Sequence, residues 1–151
     1  MTPSSVCFGT TGDSPGIFST PATGEVITFK LIYQSGYLQC YNGYRLRWGC
    51  IHPVVPKGYS MGTVITDAQK TLLLPKTEFR YGGDWCGSRD YYNLTGQTPD
   101  AAELLFDNFS VPLNVSVGSQ FQIWFVEDLN NCWEEGNDNG KTCAEVHALF
   151  V

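Results

Sequence analysis

The sequence predicts a single all-β domain, a disulfide-containing β-sandwich or jelly roll, and three observations predict it. Short apolar segments with period-two alternation recur along the 151 residues, and 16 glycines and 8 prolines punctuate the chain. No stretch has a sustained helical period with caps, and the best candidate, residues 98–105, is short. Six cysteines occur without a C-x-x-C pair, which favours disulfides over a structural metal.

The first 24 residues are in large part Thr, Ser, Gly and Pro, residue types that favour turns and loops. We therefore expect residues 1–24 to form an irregular lead-in that a disulfide from Cys7 holds to the domain. The character of the sequence changes at Glu25, and the β-sandwich domain is predicted over residues 25–151. Met1-Thr2-Pro3 is not typical of a signal peptide, so we expect the sequence to represent a mature domain.

The strands of the domain can be placed in order along the chain. Residues 26–33 are β-branched and aromatic, and a Gln-Ser-Gly turn leads into residues 37–41, which predicts a hairpin. Asn42-Gly43 predicts a second hairpin, with Cys40 opposite Cys50, because both central residues of a type I′ turn need positive φ. Further strands are predicted at 61–66, 71–74, 78–81, 103–109, 111–117, 121–127 and 143–151, and a long loop at 82–100.

The cysteines indicate an oxidising compartment, because neither histidine stands at a familiar zinc spacing from them. Six cysteines allow fifteen complete pairings. The two local pairs that we favour are Cys40–Cys50 and Cys132–Cys143, which leave Cys7 and Cys86 to pair together or between chains. Three N-x-[ST] sequons also fit a secretory route, so we expect a secreted, extracellular protein; they begin at Asn93, Asn108 and Asn114.

The charge balance argues against two classes of partner. Fifteen acidic residues against nine basic ones give a net charge of −6, and the densest basic cluster is the pair Arg45 and Arg47. Nucleic acid and anionic membrane surfaces are therefore not expected as partners. No apolar run approaches the roughly 20 residues that a membrane-spanning helix needs, so no membrane insertion is expected.

The segment from Glu127 to Asn139 is the most informative feature, because nine of its thirteen side chains carry a carboxylate or amide oxygen. Calcium takes about six to eight such ligands in flexible geometry, whereas magnesium requires near-octahedral order. Clustered carboxylates repel one another unless they are neutralised, which favours calcium over the alternative, a solvated polar turn. Glu127 and Asp128 are expected to close a strand at the mouth of this loop. The preferred calcium ligands are Glu127, Asp128, Glu135, Asp138 and Asn139.

Several aromatic residues lie in predicted loops instead of alternating along strands. A flat ring in a loop can stack on the C–H face of a sugar while polar neighbours bond the sugar hydroxyls. The alternative is that the rings cover the edge of the core and their polar neighbours cap turns. The predicted carbohydrate-binding residues are Asp84, Trp85, Tyr91, Tyr92, Trp133 and Asn137.

Two enzyme hypotheses can be weighed against the sequence. Residues 58–62 match the G-x-S-x-G nucleophile elbow, and His147 follows, but prolines precede the motif and β-branched residues follow it where a helix is required. Glu127 and Asp128 are a carboxylate pair, but neighbours on a strand point to opposite faces and do not flank one glycosidic bond. We therefore expect no enzymatic activity and interpret His52 and His147 as structural.

The runs FQIWFVEDL (121–129) and EGNDNGKTCAEVHAL (135–149) resemble the C-terminal part of cnidarian extracellular domains. WGC (48–50) and GGDWCGS (82–88) resemble the middle of the same group. This group is similar to the calcium-dependent galactose-binding lectins of sea anemones, and the likeness spans most of residues 25–151. It implies a calcium ion that coordinates vicinal galactose hydroxyls, with an aromatic ring orienting the sugar. Trp133-Glu134 is an insertion relative to this pattern; the ligands implied are again Glu127, Asp128, Glu135, Asp138 and Asn139.

The function expected from these features is that of a secreted, calcium-dependent lectin that binds galactose- or lactose-type glycans. Because a single sugar contact is weak and linked sites raise the effective concentration, a homodimer is expected. An unpaired cysteine would be one way to join its two chains. The alternative function is a calcium-stabilised extracellular matrix or adhesion module whose partner is a protein.

Overall fold

A computed structural model describes residues 5–53, 55–86, 88–133 and 139–151, apart from the side chain of Asn42. Within these ranges the chain forms eleven strands and one short α-helix, so the all-β prediction is confirmed. The helix α1 is Val126–Asn130, and the strands are β1 Ser5–Gly9, β2 Gly16–Ser19, β3 Gly24–Gly36, β4 Leu38–Gln39, β5 Arg45–Leu46, β6 Thr63–Asp67, β7 Leu72–Leu74, β8 Glu103–Leu105, β9 Leu113–Val115, β10 Gln120–Phe125 and β11 Lys141–Phe150.

Two antiparallel sheets form the sandwich. The first has the order β1-β11-β3-β8, and β9 pairs with the beginning of β3. The second has the order β2-β10-β6-β7, and β4 and β5 form a separate small hairpin. β3 and β11 are the longest strands and pair through nine residues each, so they form the centre of the first sheet.

The hydrophobic core lies between the two sheets. Phe29 from the first sheet lies 5.3 Å from the Phe18 ring and 5.2 Å from the Phe121 ring, both in the second sheet, measured between ring centroids. The alternation predicted in β10 holds for Phe121, Gln122 and Ile123, of which only Gln122 is partly exposed, but it was wrong for Trp124, which is buried like Phe125. Burial of these rings supplies the main driving force for closing the sandwich.

The prediction of an irregular lead-in was wrong, because residues 1–24 contain two strands. β1 pairs with β11, and β2 pairs with β10, each in an antiparallel register. These strands are only five and four residues long, and Gly and Ser at their ends interrupt the β-forming Val, Phe and Ile, so the local sequence signal is short. Their hydrogen bonds to longer, strongly patterned strands supply the stabilisation that local propensity does not.

Three disulfides join the chain, and their pairing corrects part of the sequence prediction. Cys40–Cys50 is confirmed, but Cys132 pairs with Cys86, and Cys143 pairs with Cys7. Cys7 and Cys143 stand directly opposite each other in the β1–β11 ladder, with Cα atoms 4.0 Å apart. All six cysteines lie within the described ranges and all are paired, so none is free for a bridge between chains.

Three predicted element boundaries were also wrong. β3 does not turn at residues 34–36 but continues to Gly36, because β11 provides a hydrogen-bonding partner along its length. Residues 78–81 form no strand of their own; a 3-10 turn covers Thr77–Phe79. β10 ends at Phe125, and the chain enters α1, so Glu127 and Asp128 lie in the first turn of a helix.

Candidate functional site

The short helix α1 lies where three parts of the chain meet. The Cys86–Cys132 disulfide ties the long loop at 82–100 to the residues just after α1. Asn130, the last residue of α1, donates a 2.7 Å hydrogen bond from its side chain to Asp90 in that loop. The structure therefore brings together the two loops in which the sequence predicts sugar-binding and calcium-binding residues.

Glu127 points from α1 towards the long loop. Its carboxylate is buried, and it accepts a short hydrogen bond from the hydroxyl of Tyr91, which is also buried. A buried carboxylate needs donors because it has lost its water, and a phenol hydroxyl in low dielectric is a strong one. Tyr91 therefore fixes the orientation of the Glu127 side chain.

Asp128 points the other way, towards the loop between β1 and β2. Its two carboxylate oxygens accept hydrogen bonds from the backbone N–H groups of Asp13 and Ser14, at 2.9 and 2.8 Å. Gly12 and Asp13 both have positive φ, so the loop needs such an anchor to hold its left-handed turn. Asp128 is fully buried, and its two hydrogen bonds join α1 to this N-terminal loop; we call this contact the Asp128 clamp.

The acidic segment is anchored at both ends. Cys132 is held by its disulfide, and Asn139 exchanges two backbone hydrogen bonds with Gln39 of β4, at 2.7 and 3.0 Å. Of the predicted calcium ligands, Glu135 and Asp138 lie outside the described residues, and Asn139 is exposed. Asn137, from the predicted sugar-binding set, also lies outside the described residues. Across the ranges that the structure describes, no group of three or more His, Cys, Asp or Glu side chains is arranged to hold a metal ion.

The predicted sugar-binding aromatics divide into two groups. Trp85 has 69% of its surface exposed, and its neighbour Asp84 is exposed as well. Trp133 is half-buried, and its ring stacks on His52 at 4.5 Å between centroids. Tyr91 and Tyr92 are fully buried, so the expectation that their rings face solvent was wrong. The two tyrosines pack in the core under the long loop at 82–100. The rings of Trp85 and Trp133 lie at or near the protein surface.

A polar cavity that the sequence did not indicate lies beside the acidic segment. Its volume is about 270 Å³, and the hydroxyl of Thr10 in its wall is buried with no hydrogen-bond partner among the described residues. Hydroxyl, amide and ammonium groups around it provide donors and acceptors of the kind that sugar hydroxyls require. The lining residues are Gly9, Thr10, Thr11, Ser14, Asn139, Gly140 and Lys141.

A second cavity, of about 350 Å³, lies next to the Trp133 ring. Residues 50–52 and 55–60 line it, and the His52 ring among them stacks on Trp133 and also contacts the Tyr41 ring. Its wall is mainly apolar, in contrast to that of the polar cavity.

Partly buried charged groups contact the long loop at 82–100. The Arg80 guanidinium donates two hydrogen bonds to the Pro75 carbonyl and lies 3.8 Å from the Asp90 carboxylate. Burial lowers the pKa of Arg80, although Asp90 and Asp107 oppose this shift. Burial raises the pKa of Asp107 and of Tyr92 above their ordinary values. Desolvation therefore outweighs the attraction between these charges.

The residues of the rejected enzyme motif are arranged as parts of the scaffold. Ser60 accepts a hydrogen bond at its carbonyl from Cys50, and the segment leads into strand β6, where a nucleophile elbow would have a helix. His147 lies on β11, and its Nε2 is 2.6 Å from the Glu145 carboxylate. Neither group has the arrangement of a catalytic triad.

The sequence and the structure of this chain can be compared with those of known proteins. No protein-family model matches the sequence, and no curated protein matches it. The two sheets, the helix α1 and the loops around it define a disulfide-linked antiparallel β-sandwich. The solved structure of AJLec, a lectin from the sea anemone Anthopleura japonica, is similar to the chain with a TM-score of 0.83 and 27% sequence identity. The similarity covers 100% of this chain and 95% of AJLec. No helix in the described ranges is long and apolar enough to cross a membrane.

Proposed function

We propose that this protein is a secreted lectin that binds terminal galactose-type glycans through a calcium ion held by the acidic segment. The observation that carries the proposal is the similarity to a solved sea-anemone lectin over the whole chain. It supports carbohydrate binding in general. Calcium and galactose are the finer part of the proposal and rest on the residues of the site.

Two residues of the acidic segment support its role as the sugar site. Cys132 is tied to the scaffold by a disulfide, and Asn139 by backbone hydrogen bonds to Gln39. Fixed points on either side of residues 133–138 reduce the entropy lost when a ligand orders them. The polar cavity, which Asn139 lines, offers hydroxyl contacts, and the Trp133 ring next to Cys132 offers an apolar surface.

The calcium proposal rests on the chemistry of the oxygen donors. The proposed ligands are Glu127, Glu135, Asp138 and Asn139, which supply carboxylate and amide oxygens. Asp128 belongs to the original set, but both of its oxygens already accept backbone N–H groups, so we assign it to the clamp. When bound, calcium would supply open coordination positions for two neighbouring sugar hydroxyls.

Stacking on the sugar ring is assigned to Trp85 and Trp133. Trp85 is the most exposed aromatic side chain in the described ranges, and the Cys86–Cys132 disulfide next to it holds its loop against the acidic segment. An exposed indole provides a flat apolar face for the C–H groups of galactose. We assign to the exposed Asp84 carboxylate a hydrogen bond from a sugar hydroxyl.

Secretion and multivalency complete the proposal. Three disulfides fit an extracellular protein, because such bonds persist in oxidising compartments. A homodimer would present two sugar sites and gain avidity. Since every cysteine is paired within the chain, this dimer would be non-covalent, which light scattering coupled to size exclusion can test.

Retention on immobilised lactose tests the proposal. The protein should bind the resin in calcium-containing buffer, and either EDTA or free galactose should elute it, while free mannose should not. Elution by EDTA alone would indicate calcium-dependent binding to another sugar. Failure to bind, combined with thermal stabilisation by calcium, would instead favour the matrix or adhesion module.

A further inference from the structure

Three glycosylation sequons remain outside the function proposed above. Their asparagines, Asn93, Asn108 and Asn114, are all exposed in the structure. The hydroxyl residues two positions later are exposed too: Thr95, Ser110 and Ser116. Because an N-glycan is bulky, the folded protein can accommodate it only at the surface, and each of the three asparagines lies there.

Two of the sequons lie on one edge of the first sheet. Asn114 is in β9 and pairs with Glu25, and β9 has β3 as its strand neighbour on one side within the described sheet. Asn108 precedes Phe109, whose N–H donates a hydrogen bond to the Ile27 carbonyl of β3. Both asparagines therefore flank the first residues of β3.

This edge is far from the proposed sugar site. β3 runs from Gly24 to Gly36, a length of about 40 Å at roughly 3.3 Å per residue. Gly36 pairs with Thr142, close to the end of the acidic segment at Asn139. Glycans near Gly24 would therefore leave the sugar site at the other end of the sheet uncovered.

The same edge carries features that favour association with other chains. Val111 and Val117 flank β9 and have 79% and 65% of their surfaces exposed. The sequence from 104 to 119 contains no Lys or Arg, and its one acidic residue, Asp107, is half-buried. When apolar residues flank the outer edge of an edge strand, that edge can pair with a strand of another chain. Charged side chains are a common protection against such pairing.

We propose that Asn108 and Asn114 are N-glycan acceptor sites and that their glycans shield the β9 edge from association. A branched oligosaccharide is bulky and strongly hydrated, so it protects the edge in place of the missing charges. Asn93 lies in the long loop and is not part of β9 or of the segment next to it, so a glycan there is not part of the proposed shield. This inference depends on passage through the secretory pathway and not on lectin activity.

The first test is glycan occupancy in protein secreted from cultured animal cells. Enzymatic removal of N-glycans should lower the intact mass and convert both Asn108 and Asn114 to Asp, as peptide mapping would detect. Ser116→Ala should abolish the modification at Asn114, whereas Ser116→Thr, which preserves the sequon, should retain it. Secreted protein unmodified at both Asn108 and Asn114 would overturn the proposal.

The second test separates the shield from mere occupancy. The double variant Asn108→Gln with Asn114→Gln should aggregate severalfold faster than the glycosylated protein in static light scattering, and Asn93→Gln should leave the rate unchanged. Adding Val117→Lys to the double variant should restore the slow rate by placing a charge on the edge. An unchanged aggregation rate in the folded double variant would overturn the shield, and the lactose experiment would be unaffected either way.

Discussion

The hydroxyl of Tyr91 donates a hydrogen bond to the carboxylate of Glu127, and both residues are buried. This bond joins the long loop at 82–100 to helix α1. It also explains why a tyrosine in a loop is buried: the ring fills the core while its polar tip satisfies a carboxylate. The orientation of Glu127, the described carboxylate in our calcium set, therefore depends on a residue of another loop.

Removing the Tyr91 hydroxyl tests whether the orientation of Glu127 depends on it. Tyr91→Phe should lower the free energy of unfolding by about 1–3 kcal/mol, because Glu127 loses a donor in a buried site. It should also weaken calcium binding measured by calorimetry. Tyr92→Phe is the matched control, since Tyr92 is equally buried and its hydroxyl bonds to the Thr63 carbonyl instead. An equal loss of calcium affinity in both variants would contradict the specific role of Tyr91.

The Asp128 clamp gives a second prediction. Asp128→Ala should destabilise the protein by about 1.5–3 kcal/mol, because two buried hydrogen bonds to a charged group are lost. Amide exchange at Asp13 and Ser14 should accelerate more than elsewhere. Asp67→Ala is the control: Asp67 also accepts two backbone N–H groups, from Gln69 and Thr71, but in an exposed turn. A cost as large as that of Asp128→Ala at this exposed position would argue against burial as the cause.

The exposed Trp85 ring should matter for sugar binding and little for folding. Trp85→Ala should reduce lactose affinity measurably while the midpoint of urea unfolding stays nearly unchanged, because an exposed ring contributes little burial. Ile17→Ala is a suitable control, since Ile17 is exposed on β2 in the second sheet. Unchanged lactose affinity in the Trp85 variant would remove this residue from the proposed site.

The disulfides should divide into one that stabilises the whole fold and one that also supports the site. Their loop separations of 136 and 46 residues correspond to about 5 kcal/mol for Cys7–Cys143 and about 4 kcal/mol for Cys86–Cys132 in the chain-entropy model. Replacing Cys86 and Cys132 by Ser should lower lactose affinity at temperatures where the variant is still folded. Replacing Cys7 and Cys143 should lower the unfolding temperature more and the affinity of the folded protein less.

Asp107 predicts a pH dependence of stability. Burial raises the folded-state pKa of Asp107 above its ordinary value of 3.8, and hydrogen bonding from the Lys76 amide only partly opposes this. The folded state therefore binds this proton more tightly than the unfolded state, and the contribution of Asp107 to stability falls as pH rises from 3.8 through the raised pKa. Lys76, Glu78 and Arg80 are the charged neighbours.

The variant Asp107→Asn removes this titration while keeping an acceptor for the Lys76 amide. Its free energy of unfolding, relative to that of the unmodified protein, should increase as pH rises through that window. A parallel pH dependence in the Asp107 variant and the unmodified protein would contradict the assignment.

The sequence predicts the fold well where the apolar pattern is strong. β10 and β11 were placed within a few residues, because alternation such as Phe121, Gln122, Ile123 reflects a face buried against the other sheet. β1 and β2 were missed because long-range pairing, and not local propensity, makes them strands. The same omission explains the wrong pairing of Cys143, since its partner Cys7 lies in β1.

The site was predicted as two separate clusters, and the structure joins them. Composition alone indicated the acidic segment and the aromatic loop, but not that Cys86–Cys132 would connect them. The burial of Tyr91 and Tyr92 was not predictable, because a tyrosine suits both a core and a sugar site. The polar cavity was missed because Thr10 and Ser14 belong to the segment interpreted as an irregular lead-in.

Isothermal titration of lactose into the protein tests the central claim most directly. The titration is done with calcium, after EDTA treatment, and with mannose in place of lactose. If the protein is a calcium-dependent galactose-binding lectin, we expect saturable heat with lactose in calcium, none after EDTA, and none with mannose. Absence of heat with lactose in calcium, from protein shown to be folded by near-ultraviolet circular dichroism, would contradict a galactose-binding lectin.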